Sequence, residues 1–183
     1  MSYVPGLEGV VAVETRIAEP DRDGGALRYR GVDIEELVGR VPYERVWSLL
    51  VDGDDGAALE ASPLPADLAL RPSGAVMAEL QAVLAQCGPR LGLRALLDTS
   101  DDGARAALAT MSAWGIDAVA TFAHGGERVD DAVVAQGRTL AERFVLRWRG
   151  APDERAARAL DAYWAAAAEH GMNASTFTAR IVA

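Results

Sequence analysis

The chain has 183 residues, half of them hydrophobic and a quarter charged, with a formal net charge of −9. That balance supports a buried core and excludes a disordered chain, and the length fits one domain or part of a larger one. All 18 basic residues are arginine and none form a basic tract, so neither nucleic acid nor an anionic membrane surface is an expected partner.

The N-terminal segment reads as a β-hairpin. "GVVAVETRIA" is rich in Val, Thr and Ile, "EPDRDGG" supplies turn residues, and "ALRYRG" follows as a second short strand. An isolated hairpin is marginal in water, so it must pack on something else. The start "MSYVPGLEGV" lacks the basic and apolar regions of a signal peptide. No uncharged apolar run nears the roughly 18 residues of a spanning helix. The cytoplasm is therefore the expected location.

From Asp33 onward the pattern is helical. Asp33 is a good N-cap for "DIEELVGR", with Glu36 in capping-box spacing. Pro42 opens "PYERVWSLLVDG", with Val46, Leu49 and Leu50 on one face, and Gly53 ends it. Residues 52–65 read as loop. Ser73 caps "GAVMAELQAVLAQC", which Gly88-Pro89 ends, and a short helix follows around Leu91–Leu97. Cys87 is the only cysteine, so it forms no internal disulfide and is expected as a buried, inert thiol.

Ser100 or Asp101 starts a longer helix that Gly125-Gly126 breaks, with His124 as a C-capping histidine at its end. "DDAVVAQGRTLAERFVLRWRG" reads as one helix, with Leu140, Phe144 and Trp148 aligned. "DERAARALDAYWAAAAEHG" reads as the next, with Leu160, Tyr163, Trp164 and Ala167 as its buried stripe and Gly171 after its C-cap. No P-loop, dinucleotide fingerprint, zinc-type spacing or nucleophile elbow is present in the sequence. No metal site is expected.

The chemistry concentrates near the end, in "AEHGMNASTFTARIVA". His170 lies in the last turn of an Ala-rich helix, where the helix dipole favours an imidazolium. Asn173, the only asparagine, stands with Ser175 and Thr176 as caps for a new helix whose first amides face the same region. Imidazole, amides and positive dipole together suit a carboxylate or phosphate. The bland alternative on the same residues is a surface histidine beside an ordinary cap. "NAS" also matches the glycosylation acceptor pattern, which carries no weight in a chain without a secretion signal.

Two separated stretches resemble one family. "GLEGVVAVETRIAEPDRDGGALRYRGVDIEELV" is similar to the N-terminal hairpin and first helix of bacterial citrate synthases and 2-methylcitrate synthases. "AEHGMNASTFTARIVA" resembles that family's His-x-x-Asn-x-Ser segment. The resemblance runs along the whole chain but corresponds to about the first half of the family's usual length. It implies a mainly all-α, multi-helical large-domain portion with an N-terminal β-hairpin. Residues 1–32 form the hairpin segment and 33–183 the helical part, truncated at its C-terminal end.

The resemblance also implies an activity: condensation of oxaloacetate with acetyl-CoA to give citrate and CoA, by a dimer, with acetyl-CoA as co-substrate and no covalently bound cofactor. His170 matches the family's oxaloacetate-binding histidine, and Asn173 a residue lining the same pocket. Ser175 matches a serine that hydrogen-bonds the first catalytic histidine. The family's two catalytic histidines, its catalytic aspartate and its carboxylate-binding arginines all correspond to positions beyond Ala183. The chain as given is therefore expected to be inactive alone. The helix near residue 73 also departs from the family: "RPSGAVMAELQ" stands where many relatives carry His-Pro-Met-Asp and a following Arg. The alternatives are part of a 2-methylcitrate synthase, or a non-enzymatic helical module that dimerises or binds a dicarboxylate.

Overall fold

The computed structural model describes residues 14–20, 24–53 and 58–182. A small antiparallel sheet, β1 Ala18–Pro20, β2 Leu27–Tyr29 and β3 Val32–Asp33 in that order, precedes the helices. β1 and β2 pair with Ala18 opposite Tyr29 and Pro20 opposite Leu27. The expected hairpin is thus present, but β1 uses Glu19 and Pro20, which the sequence suggested as turn. Residues 9–13 of the expected first strand and 21–23 of its turn lie outside the described residues, as do 54–57 of the expected loop. The third strand is an addition. Arg30 (φ 46) and Gly31 (φ 88) form a two-residue turn with both residues left-handed, the geometry that matches strand twist, and Tyr29 then faces Val32.

β2 alternates as a half-buried strand should, with Arg28 outward and Tyr29 fully buried. Tyr29 and its neighbour Arg30 each reach the C-terminal end of a helix. Arg30 Nε and Nη2 donate to the Leu50 carbonyl at 3.1 and 3.0 Å, in the last turn of α2 Tyr43–Asp52. These carbonyls have no partner within their own helix. Gly53 (φ 86) ends α2 as expected, whereas Pro42 sits at the N-cap position rather than inside the first turn. Before it, Asp33 caps the four-residue α1 Ile34–Leu37 by accepting from the Glu35 amide.

The helical body is a chain of packed neighbours. α3 Val76–Arg90 lies against α4 Asp101–Ala123, α4 against α6 Leu140–Arg149, α6 against α7 Glu154–Ala167, and α7 against α2. α3 runs through Gly88-Pro89, which the sequence placed at its end. The short helix expected around 91–97 is a single 3-10 turn, Leu96–Asp98. Ser100 caps α4 by accepting from the Gly103 amide, a contact worth about 1 kcal/mol. Gly115 on α4 faces Leu80 and Leu84 of α3, which a Cβ there would meet at ordinary van der Waals distance. The first core cluster gathers Leu64, Leu68, Val83, Cys87, Trp114 and Phe122 between these two helices. α4 is long and apolar enough to cross a membrane by length and composition, but it carries Asp117 at a buried position and packs between α3 and α6.

The single helix expected over 130–150 is two. α5 Asp131–Val134 stops, and α6 begins at Leu140. Gly137 occupies the break, where a Cβ would stand 2.8 Å from the Arg143 amide nitrogen. Thr139 then restarts the chain: its hydroxyl accepts from the Glu142 amide at 3.1 Å, while the Glu142 carboxylate accepts from the Arg138 amide at 2.7 Å. This arrangement is close to a capping box, with the carboxylate taking the amide one residue before the N-cap, and is written in the sequence as Thr-Leu-Ala-Glu.

Aromatic rings join the helices of the second half. Phe144 meets Trp164 edge-on at 5.4 Å between centroids, and Tyr43 meets the same ring at 5.5 Å. The buried stripe of α7 differs from expectation. Ala157 and Ala165 are its buried residues, Leu160 and Trp164 are half-buried, and Tyr163 is 66% exposed. Ala167 is also exposed. His124 occupies the C-cap of α4 as expected, but its ring does more. Nδ1 lies 2.7 Å from the Trp148 carbonyl, so that nitrogen carries a proton and ties the ends of α4 and α6 together.

Candidate functional site

The segment that the sequence singles out is the turn between α7 and α8 Ala174–Val182. Its geometry starts from β2. Tyr29 has no exposed surface, and its hydroxyl lies 3.1, 3.3 and 3.0 Å from the carbonyls of Ala165, Ala166 and Glu169. A phenol has one proton to donate, so it serves these acceptors one at a time. The same oxygen accepts from the Glu169 amide at 3.3 Å. Burial raises the Tyr29 phenol above its ordinary value, which itself lies well above neutral pH, so the hydroxyl carries its proton.

Glu169 carries the organisation into the turn. Its Oε1 accepts from the His170 amide at 2.8 Å and from the Met172 amide at 2.6 Å. The backbone here is unusual: Gly171 has φ 95 and Met172, a non-glycine residue, has φ 69. A left-handed methionine costs of order 1 kcal/mol and persists only where its surroundings fix it. Pro20 of β1 closes the other side, since a Cβ on Gly171 would stand 2.7 Å from its Cγ. The sheet therefore touches the turn at two points, Tyr29 and Pro20.

Asn173 is the cap of α8. Its side-chain oxygen accepts from the Thr176 amide at 2.8 Å, and its carbonyl accepts from the Phe177 amide at 2.9 Å. Ser175 lies exposed in the first turn of α8 and lines a shallow groove with Ala174, Thr178, Ala179 and Val182. His170 is exposed, and among the described residues its ring has no hydrogen-bond partner. The three residues thus share one corner, with His170 in the turn and the other two at the head of α8. The amides expected to face an anion are partly taken by the chain's own groups. Glu169 holds those of His170 and Met172, and Asn173 holds that of Thr176.

Sequence reasoning passed over Tyr29 and Glu169. Tyr29 was visible as the tyrosine of "LRYRG", but nothing local shows that it reaches a helix end 136 residues away. A second polar cluster was also missed. Arg147 of α6 is fully buried, donating to Asp117 of α4 at 2.7 Å and also bonding Asp131 and the Val129 carbonyl. It lines a mostly apolar cavity of about 190 Å³ with Phe144, Leu140, Ile116 and Val134. In "FVLRWRG" nothing local distinguishes this arginine from the exposed Arg149. Among the described residues no three His, Cys, Asp or Glu side chains are grouped to hold a metal ion.

The family model described as "Citrate synthase, C-terminal domain" matches residues 6–183. The chain belongs to the citrate synthase family. "Putative citrate synthase 2" of Mycobacterium tuberculosis is 51% identical over 186 residues, covering 100% of this chain and 49% of that protein. A citrate synthase of Synechocystis is 30% identical, covering 99% of this chain and 49% of that protein. The chain spans about half the length of the curated relatives it matches. The crystal structure of citrate synthase from Pyrobaculum aerophilum superposes with a TM-score of 0.67 at 26% identity, covering 96% of this chain and 49% of that one. That from Thermotoga maritima superposes with a TM-score of 0.64 at 20% identity, covering 97% and 50%. The mainly helical fold with a small N-terminal sheet is thus a citrate synthase fold.

Proposed function

We propose that this chain is the N-terminal part of a citrate synthase-type acyltransferase, which condenses oxaloacetate with acetyl-CoA to give citrate and CoA. Residues 1–32 are its hairpin segment and 33–183 the helical part of its large domain. His170 and Asn173 bind oxaloacetate, and Ser175 supports a catalytic histidine supplied by the remaining polypeptide. The whole enzyme is a cytoplasmic homodimer.

Membership of the citrate synthase family supports the reaction class. The observation that carries the site is the α7–α8 corner itself. A histidine whose ring has no hydrogen-bond partner among the described residues stands in a turn of defined backbone, and Asn173 follows it as the cap of α8. An unengaged imidazole can donate to a carboxylate or a ketone oxygen of a dianionic keto acid. Proton abstraction from the acetyl methyl group needs a base, and enolate charge needs positioned donors. This reading assigns both to polypeptide outside these 183 residues, so the chain alone does not turn over. A thiol-release assay with acetyl-CoA and oxaloacetate on the purified chain tests the assignment. No release above background is expected. Turnover near the rate of intact citrate synthases would overturn it.

A further inference from the structure

The contacts of Tyr29 form a relay. The hydroxyl grips the backbone of Glu169 from both sides, with the carbonyl 3.0 Å away and the amide 3.3 Å away. The Glu169 side chain in turn accepts from the amides of His170 and Met172. Fixing these two amides fixes the direction in which the His170 side chain leaves the main chain. It also holds Met172 at its left-handed φ of 69, one residue before Asn173. Without the hydroxyl, the carbonyls of Ala165, Ala166 and Glu169, the first of them buried, lose a donor and the Glu169 backbone is free to shift.

We propose that Tyr29 is a positioning residue for the oxaloacetate-binding turn, acting through Glu169 to set the backbone of His170 and Met172. This rests on the reading of His170 and Asn173 as oxaloacetate ligands. Tyr29 touches no substrate. It couples the N-terminal sheet to the corner that the sheet touches, 140 residues away in the sequence.

Amide hydrogen exchange and oxaloacetate calorimetry on the 183-residue chain test the proposal. In Tyr29→Phe, Met172 amide exchange accelerates about fivefold or more, the expected effect of one lost hydrogen bond, while α4 amides keep their rates. The dissociation constant for oxaloacetate rises by a similar factor. A Met172 amide that exchanges at the wild-type rate overturns the proposal, as does uniform acceleration through α4 and α6, which would mark a general loss of stability. Should Tyr29→Phe fail to fold, Glu169→Ala removes the relay and leaves the tyrosine in place; unchanged Met172 exchange and unchanged oxaloacetate affinity there also overturn it. His170→Ala separates the two claims. Oxaloacetate binding that survives this substitution, or that is absent from the wild type, removes the functional reading, while Met172 exchange in Tyr29→Phe still decides the positioning claim.

Discussion

Arg147 Nε donates to Asp117 Oδ1 across 2.7 Å, with side-chain exposures of 1% and 10%. The other Asp117 oxygen accepts from the Leu64 amide at 3.0 Å, so one carboxylate joins α4, α6 and the segment before α3. Removing one partner of a buried ion pair strands the other, which costs more than the pair itself contributes. Asp117→Ala leaves Arg147 only Asp131 and the Val129 carbonyl and takes the acceptor from the Leu64 amide, and is expected to lose about 3 kcal/mol, read as a lower urea midpoint. A double replacement by apolar residues of similar size, Asp117→Leu with Arg147→Met, is expected to lose less than Asp117→Ala alone.

Two glutamates give opposite pH signatures. The Glu79 carboxylate accepts from the amides of Ser73 and Gly74, and these bonds, the Ser73 amide foremost, hold it below the usual carboxylate range. A lowered folded-state value gives stability that is present above the unfolded value, about 4.3, and is lost as pH falls through the folded one. Glu44 is the reverse. Burial raises it, and its Oε2 has no partner among the described residues. Its charged form therefore costs stability once pH rises through the raised value. Thermal unfolding of Glu44→Gln should show a higher Tm at pH 7 and no gain near pH 3. Glu79→Gln should show a lower Tm at pH 7, with the difference shrinking in acid.

Glycine substitutions separate strain from open space. Gly171 combines φ 95 with Pro20 Cγ only 2.7 Å from where a Cβ would stand. Gly171→Ala should destabilise by at least about 1 kcal/mol, because the left-handed backbone and the clash both oppose it. Gly88 lies inside α3, where an added Cβ would meet nothing within 4 Å apart from its chain neighbours, one of which is Pro89. The helix-propensity gain of Gly88→Ala, up to about 1 kcal/mol, is opposed by crowding of the new Cβ against the Pro89 ring, so the variant should stay near neutral. Chemical denaturation of the two variants side by side checks the difference.

Much of this fold was legible because its local signals are strong. Asp33, Ser100 and Gly53 stand where cap chemistry places them, and the break at Gly125-Gly126 separates real helices. The errors came from competing signals. Gly88-Pro89 reads as a stop, yet Pro89 falls in the last turn of α3 and the helix closes after it at Arg90. The unbroken apolar period over 130–150 hid the Gly137 break, although Thr139 and Glu142 had spelled out the restart. In α7 the small Ala157 and Ala165 face the core while the large Tyr163 faces out, an arrangement that ranking by side-chain size inverts. At the candidate site, the His170–Asn173–Ser175 spacing was visible. The Tyr29 contact that shapes it spans 140 residues of sequence and depends on tertiary pairing, so it could not be, whereas the Glu169 carboxylate bonds are local ones that the sequence reading passed over.

The central claim is that His170 and Asn173 meet oxaloacetate. The direct measurement is a titration of the chain with oxaloacetate, followed on the ring-proton NMR signals of His170, with His124 as the internal reference. A saturable shift at His170 alone, abolished by Asn173→Ala, is the expected result. Ring signals of His170 that stay fixed, or that move no more than those of His124, would contradict it.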